Sequence, residues 1–129
     1  MRITLHWHTV IRLSFCYVLG FFASNWTFAE KSRIAFILAE KEYKTAITLP
    51  AFFEAELKPL GFSASYVTAP AGGTERDDLK GVEAALDKAD LLFVSVRRRA
   101  PKESQMKAIR KWVMAGKPVI GIRTANHAF

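Results

Sequence analysis

The sequence predicts a single α/β domain built on a parallel β-sheet, and three features of its pattern support that fold class. Short, continuous apolar runs such as residues 34–39 and 91–96 are typical of strands buried on both faces, as parallel strands are. Segments with apolar residues at helical spacing lie between such runs. The resulting order, β-α-β-α-β-α-β, favours right-handed crossovers and a sheet covered by helices on both faces.

Four strands are predicted in chain order. The first covers residues 34–39, between charged residues, and the second covers residues 62–68, where aromatic, β-branched and small residues are enriched. Residues 91–96 form the most distinct apolar run, and residues 118–122 form the fourth strand. A loop rich in glycine, proline and aspartate, residues 69–78, separates the second strand from the helix that follows.

The first predicted helix follows a polar loop after the first strand. Thr48 is expected to cap it, and Pro50 is expected in its first turn, where a missing N–H costs no hydrogen bond. Pro59 and Gly61 are expected to end it. Spacings of four, four and three residues predict one inward face, formed by Leu49, Phe53, Leu57 and Leu60.

Two further helices complete the pattern. A short helix over residues 82–88 is expected to turn three residues inward: Val82, Ala85 and Leu86. The last helix opens near Pro101, with Glu103 favourable close to its N-terminus, and ends at Gly116. Its predicted buried stripe consists of Met106, Ile109 and Val113, with three basic residues outside it: Lys107, Arg110 and Lys111.

Residues 1–29 have the pattern of an export signal. Arg2 and Arg12 form a basic start, residues 13–23 are apolar, and Ala29 is a small residue before a cleavage point. The apolar run is shorter than the about 20 residues that a spanning helix needs. We therefore expect a signal peptide at 1–29 and a domain at 30–129 of a periplasmic or secreted protein. An uncleaved anchor and a misassigned start codon are the alternatives.

Removal of that segment changes the chemistry available to the chain. The formal charge falls from +7 to +5, because Arg2 and Arg12 are the only charged residues removed, and Cys16, the only cysteine, is lost. The remaining chain then has no thiolate nucleophile, disulfide or cysteine metal ligand. The moderate positive charge lacks a stripe of interleaved basic and aromatic residues, so no nucleic-acid partner is expected. The membrane is expected to meet the protein only through its N-terminal signal.

Charged and polar side chains follow three of the predicted strands. In the common strand order 2-1-3-4 these strands are neighbours, and ligands of open parallel sheets bind beyond the carboxyl ends of the strands. Guanidinium, carboxylate, phenol and imidazole groups suit a polyhydroxylated or anionic small molecule. The predicted site therefore comprises Glu40 and Tyr43 after the first strand, Arg97 and Arg98 after the third, and Arg123, Thr124 and His127 after the fourth.

These residues have different candidate roles. His127, as a proton carrier, and Arg123, as a holder of developing negative charge, are the catalytic candidates. The candidates for substrate binding are Glu40, Tyr43, Arg97, Arg98 and Thr124. Structural alternatives stay open for several of them: a solvated strand exit for the run Arg97-Arg98-Arg99, packing of Tyr43 over the sheet edge, and a purely structural pairing of Glu40 with an arginine.

Several classes of chemistry are disfavoured by the residues at the strand ends. Arg123 stands in the segment Gly-Ile-Arg-Thr-Ala, at the position where a nucleophile elbow carries Cys or Ser. The chain has no glycine-rich phosphate loop and no G-x-G-x-x-G after the first strand. Metal-ligand spacing is absent, and Arg97 stands where a receiver domain needs an aspartate. Neither a cofactor nor a metal is expected.

Three segments carry a resemblance to a known family. They are residues 34–45, with the loop Glu-Lys-Glu-Tyr-Lys-Thr, residues 89–94, with Ala-Asp-Leu-Leu-Phe-Val, and residues 115–129, which close with Gly-Ile-Arg-Thr-Ala-Asn-His-Ala-Phe. Over residues 33–129 the chain resembles the ThuA-like (trehalose utilisation) domain family of the class I glutamine amidotransferase-like superfamily. It looks closest to an exported bacterial branch with an Arg-Arg pair after the third strand.

The resemblance implies a flavodoxin-like three-layer α/β/α fold and a role in the metabolism of trehalose or keto-sugars, with hydrolysis as the candidate reaction. Other ThuA-like domains often carry His where this chain has Arg123, so that role is not transferred. A non-catalytic carbohydrate-binding module and a non-functional remnant are the alternatives. The family domain continues beyond the position of Phe129, so we expect a truncated chain whose uncovered fourth strand promotes homodimerisation or aggregation.

Overall fold

The structure is a computed structural model, and it describes residues 32–70 and 72–129. The predicted signal peptide, residues 1–29, lies outside the described residues. Among the residues described, none of the helices combines the length and the apolar composition needed to cross a membrane.

Strands and helices alternate along the described chain as the sequence predicts. In order they are β1 (Arg33–Ala39), α1 (Thr45–Phe52), β2 (Ser63–Thr68), α2 (Val82–Asp87), β3 (Leu91–Val96), α3 (Glu103–Met114) and β4 (Val119–Gly121). Helix α1 continues through a π-helical turn, Phe53–Leu57, into a 3-10 turn, Lys58–Leu60. Another 3-10 turn, Arg123–His127, follows β4.

The four strands form one parallel sheet in the order β2-β1-β3-β4. The register places Phe36 of β1 beside Tyr66 of β2 and Phe93 of β3, and Phe93 beside Ile120 of β4. The carboxyl ends of all four strands therefore lie at the same end of the sheet. The predicted flavodoxin-like α/β class and strand order are confirmed.

Each face of the sheet packs against its own helices. On one face, Phe36 is buried against Phe53, and its ring stacks on Tyr66 with a centroid separation of 5.2 Å. On the other face, the alternate residues of β1 and β3 pack against α2 and α3 in a larger apolar cluster. Because side chains alternate across a strand, the continuous apolar runs supply both layers. The result is a three-layer arrangement.

The first helix begins earlier than predicted. It starts at Thr45, so Pro50 lies within the helix and Thr48 does not cap it; the Thr48 hydroxyl instead donates to the carbonyl of Lys44. After Pro50 the backbone widens into the π-helical turn, which shifts the phase of the residues that follow. Leu60 is consequently 73% exposed, and its predicted inward position is wrong.

The last helix is rotated relative to the predicted stripe. Ile109 is buried and Met106 is partly buried, as expected, but Val113 is 54% exposed and Trp112 is 4% exposed. Burial of the larger ring is favoured because the indole N–H donates to the carbonyl of Pro118, at 3.1 Å, so its polar atom is satisfied. The predicted inward residues of α2 are all buried.

Candidate functional site

The carboxyl ends of β1, β3 and β4 meet in a short rim. The backbone N–H of Arg97 donates to the carbonyl of Ala39, at 3.3 Å, and that of Ile122 donates to the carbonyl of Val94, at 3.1 Å. These bonds continue the pairing of the sheet to the points where the loops leave it. The side chains that follow the three strands are thereby held close together.

Three residues other than glycine adopt left-handed backbone angles in the described part of the chain, and all three are basic. Lys44 precedes α1 with φ of 53°, Arg98 follows β3 with φ of 48°, and Arg123 follows β4 with φ of 54°. A left-handed conformation costs an L-residue about 1–2 kcal/mol, so the surrounding contacts must hold each of these turns.

Glu40 caps the N-terminus of α1. Its carboxylate accepts hydrogen bonds from the backbone N–H groups of Tyr43, at 2.7 Å, and Thr45, at 2.9 Å, and from the Thr45 hydroxyl, at 2.6 Å. Partial burial opposes ionisation, but these three bonds and the charge of Arg123 outweigh it and lower the pKa of Glu40. Glu40 is therefore ionised and engaged by three donors from its own loop and helix.

A buried hydroxyl chain supports this carboxylate. Ser95, in β3, is fully buried and its hydroxyl donates to the Thr45 hydroxyl oxygen, at 3.1 Å, while Thr45 donates to Glu40. Because each hydroxyl both donates and accepts, the chain connects β3 to the rim without an unsatisfied polar atom.

Tyr43 and Arg123 are brought together, as the sequence predicts. The Arg123 guanidinium lies over the Tyr43 ring, 4.4 Å from its centroid, so a residue after β4 contacts one after β1. The turn that carries Arg123 is tight: a Cβ at Gly121 would come within 2.9 Å of the Ala125 Cβ. A small residue at 121 and a left-handed residue at 123 give this turn the elbow shape, with arginine at its apex.

The three arginines after β3 have separate environments. Arg97 forms an ion pair with Glu42. Arg98 is exposed, and its backbone N–H donates to the His127 carbonyl, at 2.7 Å, while its own carbonyl accepts from Arg76, at 2.8 Å. The expected alternative, a solvated exit for all three, holds only in part because the third arginine is buried.

Arg99 is only 5% exposed and acts as a crosslink. Its guanidinium donates to the carbonyls of Ala39, at 2.9 Å, Pro70, at 3.1 Å, and Arg76, at 2.6 Å. Burial, together with the neighbouring charge of Arg76, lowers the pKa of Arg99. One side chain thus joins β1, the loop after β2 and β3.

A cavity of about 240 Å³ lies at this part of the rim. Its lining combines predicted site residues with others that the sequence did not single out: Glu40, Lys41, Glu42, Arg76, Arg97, Arg98 and Arg99. Among the cavities lined by described residues, larger ones of about 360 and 530 Å³ border α3 and contain none of the predicted site residues. The chemistry of the lining, rather than volume, distinguishes the rim cavity.

Thr124 and His127 were predicted to be site residues, but their side chains take little part in this arrangement. The Thr124 hydroxyl donates to the Val96 carbonyl, at 3.1 Å, and so fastens the elbow to β3. The His127 side chain is exposed and has no hydrogen bond to any residue in the ranges 32–70 and 72–129. Neither residue lines the cavity.

Four residues of the cavity lie outside the predicted site: Lys41, Glu42, Arg76 and Arg99. Arg76 comes from the glycine-rich loop, whose path over the rim no local pattern predicts, and Arg99 was grouped with its exposed neighbours. Within the described ranges, no cluster of three or more His, Cys, Asp or Glu side chains has the geometry of a metal site. No protein-family model, no curated protein and no solved structure matches this chain.

Proposed function

We propose that this domain binds a small, oxygen-rich ligand of the sugar class at the rim. The contact between Arg123 and Tyr43 and the arginine-lined cavity beside it support this proposal. Arginine donates paired hydrogen bonds to oxygen atoms, and an aromatic ring packs against the apolar face of a sugar. The resemblance to ThuA-like domains suggests trehalose or a keto-sugar as the ligand.

Binding agrees better with this rim than proton transfer does. The Glu40 carboxylate is occupied by three donors, and its low pKa makes it a weak base. Thr124 uses its hydroxyl within the fold. The geometry therefore supports a ligand-binding module ahead of a hydrolase.

Thermal unfolding of the full chain with trehalose, glucose and a keto-sugar tests the proposal. A ligand that binds only the folded state stabilises it by mass action, so at least one sugar is expected to raise Tm. Arg123→Asn should reduce the shift, because Asn tolerates a left-handed backbone but removes the guanidinium. Arg110→Asn, on the exposed face of α3, is the matched control. If none of these neutral sugars shifts Tm, and neither glucuronate nor glucose 6-phosphate does, the chain does not bind sugars and behaves as a remnant.

Hydrolysis is the second candidate, and the elbow at Arg123 is the observation that favours it. In this reading His127 carries the proton and Arg123 holds the developing negative charge. Cleavage of the glycosidic bond of a keto-disaccharide, with addition of one water, that is abolished by His127→Ala with little change in binding supports hydrolysis. A small loss of affinity without any measurable turnover in either protein supports the binding module.

A further inference from the structure

The rim cavity has a strongly positive lining. Five basic side chains and two carboxylates surround it, a net formal charge of +3. Both carboxylates are engaged: Glu42 pairs with Arg97, and Glu40 caps α1. Beside the lining, Asp77 forms an ion pair with Arg76. The positive charge of Lys41, Arg98 and Arg99 is therefore the part that no ion pair in the described ranges balances.

Arginines in this cavity are held near one another by the fold. Arg76 donates to the Arg98 carbonyl, and Arg99 donates to the Arg76 carbonyl, at 2.6 Å. The positive charge of Arg76 opposes that of Arg99, and Asp77 offsets only part of this effect. Arg99 itself has carbonyls, but no carboxylate, as hydrogen-bond partners in the described ranges. An anion placed among these side chains would relieve that repulsion.

Arg98 is the side chain best placed to meet such an anion. Its left-handed backbone is fixed by bonds to the His127 carbonyl and from Arg76, so the position of its Cα does not depend on its side chain. The Arg98 guanidinium has no hydrogen bond or ion pair with any residue that the structure describes. The five N–H donors of its planar guanidinium therefore remain available to a ligand.

We infer that this cavity takes the anionic group of the ligand, so that the preferred substrate class is a sugar bearing a carboxylate or phosphate. The inference rests on the proposed function and makes it narrower. A cavity of about 240 Å³ is smaller than those that hold drug-sized molecules, which agrees with one charged group and part of a sugar ring. Arginine forms bidentate hydrogen bonds with either anion, so the guanidinium does not discriminate between a carboxylate and a phosphate.

Calorimetric titration of the full chain with glucuronate, glucose 6-phosphate and glucose, at matched ionic strength, tests the inference. We expect at least about tenfold tighter binding of one anionic sugar than of glucose, since a hydrogen bond to a charged group is worth that much. Raising NaCl from about 50 to about 300 mM should weaken the binding of the anionic sugar but not the binding of glucose. The better of the two anions identifies the charged group.

Two variants localise the effect. Arg98→Asn should remove most of the preference for the anionic sugar, because Asn accepts the left-handed backbone but carries no charge. Arg110→Asn makes the same change of net charge on α3, away from the cavity, and should keep the preference. Equal Tm values for the two variants confirm that folding is unaffected. If Arg98→Asn has a lower Tm, Arg98→Lys is used instead. Lysine keeps the charge but lacks the planar guanidinium, so this variant should retain part of the preference.

The outcomes separate this inference from the proposed function. Glucose binding as tightly as both anionic sugars overturns the anionic class and leaves sugar binding standing. Loss of the preference in Arg110→Asn as well as in Arg98→Asn overturns the location. Binding of none of the three sugars overturns the anionic class, and it overturns the proposed function as well if trehalose and the keto-sugar also leave Tm unchanged. Inorganic phosphate is titrated alongside, and binding of phosphate as tight as that of glucose 6-phosphate overturns the sugar part of the inference.

Discussion

Glu40 joins the fold and the rim in one side chain. It follows β1 directly, accepts the N–H of Thr45 at the start of α1 and that of Tyr43 in the preceding loop, and lies within the electrostatic reach of Arg123. A negative charge at a helix N-terminus is also favoured by the helix dipole. The same carboxylate therefore starts a helix and offsets part of the positive charge around the rim.

Replacement of this carboxylate should destabilise the domain. Glu40→Gln keeps one oxygen for Thr45 but places an NH₂ group opposite the N–H of Tyr43, and we expect a loss of about 1–3 kcal/mol in the free energy of unfolding. Urea unfolding at neutral pH measures it. Glu56→Gln, on the exposed side of the π-helical turn, is the control and should change stability by less than about 0.5 kcal/mol.

The pH dependence follows from the lowered pKa of Glu40. A carboxylate whose pKa is lower in the folded than in the unfolded state stabilises the fold above its unfolded value, near 4.5, and this stabilisation is lost as the pH falls through the folded pKa. The free energy of unfolding should therefore drop below about pH 5 more steeply in the wild type than in Glu40→Gln. Parallel slopes in the two proteins would contradict this account.

At this scale the sequence predicts where residues lie better than what they contact. Glu40, Tyr43 and Arg97 were placed at the rim because each follows a strand, and strand ends of a parallel sheet share one edge. The burial of Arg99 depends on carbonyls from a loop 23 to 29 residues earlier, at Arg76 and Pro70, which no local pattern specifies.

Helix α3 shows how a side chain can decide the rotation of an element. Val113 and Trp112 are adjacent in sequence, and either would complete a helical stripe with Ile109. The indole N–H finds the Pro118 carbonyl at the entry to β4, so the larger ring is buried without an unsatisfied donor. Spacing alone cannot distinguish the two, because the pairing partner lies outside the helix.

Alanine substitutions at these two positions test the rotation of α3. Trp112→Ala should cost about 3–5 kcal/mol, because it empties a buried site and removes the indole hydrogen bond to the Pro118 carbonyl, which keeps only the Leu92 N–H as donor. Val113→Ala should cost less than about 0.5 kcal/mol, since the side chain is largely in solvent. Chemical unfolding compares the two, and a larger effect at Val113 would show that the helix is turned the other way.

The elbow after β4 depends on a single small residue. Gly121→Ala would bring a Cβ within 2.9 Å of the Ala125 Cβ and should destabilise the fold by about 1–3 kcal/mol. The pair Gly121→Ala with Ala125→Gly should recover part of that loss, because the clash is removed from the other side. Gly72→Ala, where an added Cβ meets nothing within 4 Å, is the control. Additive effects in the double variant would contradict a direct contact.

On the scale of the whole molecule, β4 and β2 are the two edge strands of the sheet that the described residues form, and β4 is the more apolar at its surface. Its residues Val119 and Ile120 are 45% and 44% exposed, and Val113 and Met114 near the end of α3 are exposed as well. An open strand edge with apolar neighbours is a template for pairing with another strand. A second copy of this chain offers an equivalent edge, so pairing of the two edges is the expected mode of self-association.

Sedimentation of the full chain at several concentrations tests self-association. We expect the weight-average mass to rise with concentration, and Ile120→Lys to reduce that rise because charge at an edge strand opposes pairing. Ile47→Lys, on the exposed side of α1, is the matched control and should behave as the wild type. A concentration-independent monomer that unfolds in one cooperative transition would contradict the expectation.

The order of elements, the parallel sheet and the strand order are predicted from the sequence because they depend on long apolar runs and general rules of connection. The phases of α1 and α3 are not, since a π-helical turn and one tertiary hydrogen bond set them. The ligand is the property that the sequence determines least, because the same side chains suit several kinds of ligand.

The left-handed turns at Lys44, Arg98 and Arg123 have a consequence for how this rim can change. Main-chain hydrogen bonds hold the turns at Lys44 and Arg98, and the close approach of Gly121 to Ala125 restricts the turn at Arg123. The side chains at these three positions can thus be replaced without a change in the backbone path of the loops. Asparagine, aspartate or glycine would fit each turn with less strain than the present residues. New recognition properties are therefore accessible to this scaffold by point substitution, with no insertion or rebuilding of a loop.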